Sequence, residues 1–148
     1  MSDVASSTIR VLLVDADLHL RTVLAQLLDI QEGLQIVATA ASRQEALDEA
    51  RQHRPEVVVL ASRVQGGDSL SLLSALQEQL PNCAAVFLTA DADGIPLADA
   101  LSAKARAVLP RGSPGQQVAE GIRTVHTGGR YIDGQCVADA IGAGHTIS

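Results

Sequence analysis

The stretch Arg54-Pro55-Glu56-Val57-Val58-Val59-Leu60-Ala61-Ser62-Arg63 decides the fold. Four consecutive apolar residues, three of them β-branched, stand between a proline and the Gly66-Gly67-Asp68 turn. A short Val-rich run bounded in this way reads as a strand with both faces buried. Such strands lie inside parallel sheets, with helices on either side. In open sheets of this kind the chemistry sits just past the carboxyl ends of the strands. Here that position is Ala61, whose methyl group can neither ligate, attack nor exchange a proton.

Working outward, the elements alternate. Ile9 to Val14 reads as a strand ending at Asp15, and Asp17 can cap the helix that follows. Leu20, Val23, Leu24, Leu27 and Leu28 form an apolar stripe expected to face the sheet, and Gly33 stops that helix. Leu34 to Thr39 is a second strand. Ser42 with Glu45 three residues later makes a capping box for a helix that buries Ala46, Leu47 and Ala50. After the glycine turn, a helix carries Leu70, Leu73, Leu76 and Leu80 on one side. Ala84 to Leu88 is a fourth strand ending at Thr89-Ala90. Asp91 to Gly94 is a loop, and Pro96 suits the first turn of a short helix with Ala98 and Leu101 inward. Ala107 to Leu109 is a fifth strand ending at Pro110-Arg111. Pro114 starts a last helix with Val118, Ile122 and Val125 inward, closed by Gly128-Gly129. This alternation predicts an α/β domain, a (βα)5 doubly wound five-stranded parallel sheet over residues 9–131. Residues 1–8 read as a flexible tail. Residues 132–148, rich in Gly, Ala and small polar residues, read as a linker or tail.

Composition narrows the function. The chain has 148 residues, enough for one domain with a proper core. Phe87 and Tyr131 are its two aromatics, so it offers no stacking surface for single-stranded nucleic acid. A net charge of -6 also argues against a phosphate-backbone partner for this chain itself. Cys83 and Cys136 share no metal-ligand or CxxC spacing and read as free thiols in a cytoplasmic protein. Met1 to Thr8 has no signal-peptide core, and no apolar run approaches the roughly 20 residues of a membrane span. A soluble protein with no membrane partner is expected.

The strand ends bring Asp15, Ala16 and Asp17 together with Ala61 and Ser62, Thr89 and Ala90, and Pro110 and Arg111. Ile9-Arg10-Val11-Leu12-Leu13-Val14-Asp15, Arg54 to Leu60, Leu88-Thr89-Ala90, Ala105-Arg106-Ala107 and Gly128-Gly129-Arg130-Tyr131 follow in an order that is specific. Over residues 9–131 the chain resembles a response-regulator receiver domain of the NarL/LuxR (FixJ) type. That resemblance implies a flavodoxin-like receiver fold, a bacterial setting, and a place in two-component signalling or a phosphorelay that regulates transcription. In receivers, two acidic residues after the first strand and an aspartate after the third hold Mg²⁺. The third aspartate accepts a phosphoryl group, a hydroxyl after the fourth strand binds the phosphoryl oxygens, and a lysine after the fifth pairs with them. Carried over by position, Asp15 matches the first acid and Thr89 the hydroxyl. Ala16 replaces the second acid, Ala61 the phosphoacceptor, and Arg111 the lysine. Val108 stands where an aromatic switch residue is common.

The resemblance therefore implies an atypical receiver with a degenerate phosphorylation site. Mg²⁺ binding is not expected, Asp15 being the one weak candidate ligand, and no enzymatic activity is expected. Such a receiver would act by phosphorylation-independent dimerisation, or by binding a regulatory protein or small ligand. The resemblance implies a homodimer through the first and last helices, around Leu18 to Arg21 and Gln117 to Thr124. DNA would be bound only through a helix-turn-helix output domain, to which residues 132–148 would lead.

Several residues admit more than one reading. Asp17 either replaces the missing acid or only caps its helix. Arg111 can fill the vacated pocket by pairing with Asp15. Ser62 and Asp68 are candidate alternative phosphorylation sites, Asp68 otherwise fixing the Gly66-Gly67 turn. His19, His53, His126 and His145 have no ligand spacing and read as surface or capping residues. Asp15-Ala16-Asp17 also resembles the DxD opening of haloacid-dehalogenase-type phosphohydrolases, with Asp15 as nucleophile, Asp17 as general acid, and Thr89 and Lys104 as the later motifs. A third reading is a small-molecule sensor whose ligand sits beside Ala61.

Overall fold

Each residue of β3 (Val57–Ala61) is buried. Alternate side chains leave a strand on opposite faces, and here they divide the core in two. Val58 and Leu60 join Leu12, Val14 and Phe87 on one side, under α2 (Arg43–His53) and α3 (Ser69–Gln79). Val57 and Val59 join Val11, Leu13 and Val86 on the other, under α1 (Leu18–Asp29) and α5 (Gly115–His126). The computed structural model describes residues 8–90 and 97–142, with the side chains of residues 8–90 and 97–138.

The remaining strands are β1 (Ile9–Val14), β2 (Leu34–Ala40), β4 (Ala84–Thr89), β5 (Ala107–Pro110) and β6 (Tyr131–Ile132). They form a parallel sheet in the order β2-β1-β3-β4-β5-β6. The chain runs outward to β2 and then crosses to β3, so the order reverses between β1 and β3. Their carboxyl ends, at Asp15 and Ala61, flank the switch point where doubly wound sheets place their sites. α4 (Leu97–Ser102) and α6 (Gly134–Gly142) complete the molecule.

Several expectations need correction. The sheet has six strands rather than five, and residues 132–142, expected as part of a linker or tail, form the end of β6 and α6 instead. The Tyr131 N–H donates to the Arg106 carbonyl at 3.0 Å and the Asp133 N–H to the Val108 carbonyl at 2.9 Å, extending the sheet past β5. Asp133 then accepts from the Gln135 N–H at 2.8 Å, and Cys136 is buried. Three apolar residues, Ile132, Cys136 and Val137, make too short a pattern to read as core without the β5 edge beside it.

In α1 the five-residue stripe does not face the sheet as a unit. Leu28 is fully buried and Leu24 partly, while Leu20, Val23 and Leu27 are 38–40% exposed. A stripe that wide exceeds what one side of the sheet can cover. In α3 the buried residues are Leu72, Leu73 and Leu76, with Leu70 and Leu80 only partly covered. In α4, Leu97 and Ala100 are the buried residues. The expected Asp91–Gly94 loop, the role of Pro96, residues 1–7 of the tail and residues 143–148 lie outside the described residues.

Helices α1 and α5 meet at Gly115, where an added Cβ would stand 2.7 Å from the Leu27 Cβ. Gly115→Ala should destabilise the fold by about 1–3 kcal/mol through overpacking. Adding Leu27→Ala should recover part of that loss in a urea-unfolding cycle. Simple additivity of the two changes would show that this contact does not set the α1–α5 spacing.

Candidate functional site

The carboxyl ends of β1, β3, β4 and β5 form one rim, and backbone bonds lock them to one another. The Asp15 N–H donates to Ala40 at 3.0 Å and the Ala16 N–H to Arg63 at 3.0 Å. The Ser62 N–H donates to Leu88 at 2.8 Å and the Arg111 N–H to Thr89 at 2.6 Å. The four strand ends are therefore a rigid frame.

Inside this frame Asp15 and Arg111 form an ion pair. Arg111 Nη2 donates to Asp15 Oδ1 at 2.7 Å, joining residues 96 positions apart. The same oxygen accepts from the Asp17 N–H at 2.9 Å. The Asp15 side chain is 2% exposed and that of Arg111 12%, so solvent screens the pair little. Arg111 Nε is buried with no hydrogen-bond partner among the described residues. Arg21, one turn into α1, donates from Nη1 to the Asp15 carbonyl at 2.7 Å. That contact escaped the sequence reading, although Arg21 lies four residues after the Asp17 cap and so above the strand end.

The other candidates fall into distinct places. Asp17 Oδ1 accepts from the Leu20 N–H at 3.0 Å, capping α1. That backbone bond holds its exposed carboxyl below the usual carboxylate value. Ala61 is fully buried beside Leu88, and Thr89 is half-buried at the end of β4. Val108 packs with Leu97, Ala100 and Cys136 beneath the rim. Asp68 caps α3 through the Ser71 N–H at 3.2 Å, a correction to its expected role in the glycine turn. Ser42 accepts from the Glu45 N–H at 3.2 Å, but Glu45 reaches back to the Ala41 N–H rather than to that of Ser42. Lys104 sits between α4 and β5, at the end of the sheet opposite Asp15.

This donor set does not fit Mg²⁺, which takes six oxygens and is usually held by carboxylates. Ala16 and Ala61 offer none, and the Asp15 oxygen given above already receives a guanidinium and an amide. No three His, Cys, Asp or Glu side chains gather around a common point among the described residues. A guanidinium occupies the role of counter-charge to Asp15. The arrangement can hold one geometry firmly, but it offers no acceptor for group transfer at Ala61.

Comparison with known proteins gives a consistent result. The family model described as the response regulator receiver domain matches residues 11–123. The oxygen regulatory protein NreC of Staphylococcus epidermidis is 31% identical over 125 residues, 84% of this chain and 57% of that relative. The chain thus spans less than two thirds of the length of this curated relative. Among solved structures, a LuxR-family two-component response regulator from Aurantimonas sp. SI85-9A1 superposes with a TM-score of 0.79 at 21% identity, covering 93% of this chain and 98% of that one. A structure of two RcsB dimers bound to two parallel DNAs superposes with a TM-score of 0.78 at 11% identity, covering 90% of this chain and 68% of that one.

Removing one member of a buried pair leaves the other uncompensated. Asp15→Ala should cost about 3 kcal/mol in urea unfolding. The double variant Asp15→Ala with Arg111→Met should regain much of that loss, because the stranded charge is gone. If the double variant is no more stable than Asp15→Ala, the pair does not carry the energy assigned to it.

Proposed function

The chain belongs to the response-regulator receiver family, and from that premise we propose that it signals without aspartyl phosphorylation. It is a receiver of the LuxR type, in a family that serves two-component signalling and transcription regulation. The observation that carries the proposal is the 2.7 Å contact between Arg111 and Asp15 at a rim where the acceptor position is Ala61. A phosphorylated receiver needs two states separated by a ligand or modification that favours one of them. Here the counter-charge is built into the chain. Arginine's planar fork and permanent charge suit a fixed pair better than lysine's flexible ammonium. The rim is accordingly a lock, with Asp15, Ala16, Asp17, Thr89, Val108 and Arg111 as remnants of the switch. No catalysis and no Mg²⁺ enter this reading.

Output then passes through association. Leu18, Leu20, Val23, Leu27 and Ile30 are exposed on or just after α1, at 67, 38, 38, 40 and 78%. Leu20, Val23, Leu27 and the adjoining Ile30 fall on one side of α1, and exposed apolar residues gathered on one helix face mark interaction surfaces. We assign this face, with the neighbouring Gln117–Thr124 part of α5, to a homodimer. The RcsB structure that superposes on this chain is of dimers bound to DNA. In the protein described here, DNA would be reached through an output domain, with β1 to α6 together as the receiver. No helix among the described residues is long and apolar enough to cross a membrane, and a cytoplasmic location fits the family.

Two measurements test this reading. Intact mass after incubation with acetyl phosphate and Mg²⁺ should show no adduct on the natural chain. A gain of about 80 Da, one phosphoryl group, would overturn phosphorylation independence, and its position would identify the true acceptor. Sedimentation should show a dimer that Val23→Asp weakens at least about tenfold, equivalent to roughly 1.4 kcal/mol. A natural chain that stays monomeric at high concentration would remove the dimer from the proposal.

A further inference from the structure

The carboxyl-end rim is not the only concave part of the molecule. A groove of about 550 Å³ opens at the opposite end of the sheet, where β3 and β4 begin and where α2, α3 and α5 end. That volume is within the range of small-molecule sites, which combine apolar walls with a few convergent polar groups. We propose that this groove binds a small organic anion, with a carboxylate or phosphate head on a compact apolar body.

Charge supports this assignment. The groove contains one carboxylate, Glu56, and both of its oxygens are already engaged. Oε1 accepts from the Arg10 N–H at 3.0 Å, and Oε2 lies 3.3 Å from His126 Nε2. Burial pushes the Glu56 carboxyl up, but Arg10 and His126 outweigh it and hold the group below its ordinary value, so it stays anionic and paired. The two guanidinium groups have no comparable use. Arg51 makes a 3.5 Å contact with exposed Asp48, and the Arg54 side chain has no hydrogen bond or ion pair among the described residues. Glu56 keeps its charge, and the cation left for an incoming anion is the Arg54 guanidinium, which has no partner among the described residues.

The walls set the rest of the ligand. Pro55, Leu80, Pro81 and Val125 supply apolar surface. Cys83 adds a thiol that burial pushes up to about 12, so it is neutral and presents no competing negative charge. A guanidinium beside an apolar wall suits a carboxylate or phosphate, whose oxygens accept paired N–H donors, with a hydrocarbon or aromatic body behind it. Arg54 stands here with a left-handed backbone, φ 47° and ψ 64°, immediately after α2. Glycine fits that conformation without penalty, so the guanidinium can be deleted without straining the chain. The groove lies at the far end of the sheet from Asp15 and Arg111, and the inference does not depend on how the rim works.

Amide-resolved NMR titration of the natural chain tests the site. Benzoate and phenyl phosphate serve as the two anionic probes, and benzyl alcohol is the neutral control. Saturable shifts are expected at Arg51, Arg54, Asn82, Cys83 and His126 with one or both anions, and none with benzyl alcohol. The tighter anion tells carboxylate from phosphate. Arg54→Gly should weaken binding about tenfold while the remaining spectrum stays native, and Arg54→Lys should restore part of the affinity. Three results would overturn the proposal. These are no saturation by about 10 mM of either anion, shifts centred instead on Asp15 and Arg111 or on α1, or unchanged affinity in Arg54→Gly.

Discussion

Five residues, Val57 to Ala61, lie in the middle of the sheet with no appreciable contact with water. A strand in that position needs apolar cover above and below, and the rest of the architecture follows from the need. Val58 and Leu60 require α2 and α3, while Val57 and Val59 require α1 and α5. Both layers return the chain to the same edge before each new strand, so the strands are parallel and their carboxyl ends share a rim. The strand order reverses beside this strand, which puts Ala61 next to Asp15. The central packing requirement therefore builds the rim before any polar residue is considered.

The electrostatics of the rim rest on a pair formed within the chain itself. Where two further carboxylates would strengthen a cation site, this chain has two methyl groups, and its remaining carboxylate is neutralised by arginine. A buried ion pair adds little net stability over a well-packed apolar pair, but separating it is costly. The pair is therefore better understood as fixing the relative positions of β1 and β5 than as strengthening the fold. Asp17 and Asp68 cap helices and Glu45 closes a capping contact, so these rim acids are committed to backbone N–H groups. At the opposite end, Glu56 is committed to Arg10 and His126, while the Arg54 side chain has no partner among the described residues. The two ends of one sheet thus differ in character, one closed by a buried ion pair and the other carrying an exposed arginine beside a groove.

Much of the fold was legible because its signals are local. The Val-rich run, Asp17 before α1, Ser42 before α2 and Pro114 before α5 each act within a few residues of themselves. The apolar residues Val118, Ile122 and Val125 recur at helical spacing, and all three are buried. The misreadings arose where burial depended on a neighbour distant in sequence. Leu27 belongs to an apolar stripe, yet it meets Gly115 rather than the sheet, and Leu70 gives way to Leu72 through the orientation of α3. Ile132 to Val137 carries no readable core pattern because its core consists of a few residues against the edge of β5. In the candidate site, the residue types at each strand end were readable in order. The contribution of Arg21 was not, because it reaches a backbone carbonyl that has no sequence signature.

The sequence by itself determined the alternation of strands and helices, the alanines at positions 16 and 61, and the arginine at position 111. These follow from residue chemistry and short-range periodicity, which need no partner to be expressed. Only the tertiary structure decided that Arg111 meets Asp15, that α1 turns apolar side chains outward, and that Tyr131 and Ile132 add a sixth strand with α6 packed after it. It also decided that Arg51 and Arg54 share a groove with His126. Each of these outcomes depends on strand order, helix rotation and side-chain reach across many residues of chain, which local pattern does not encode.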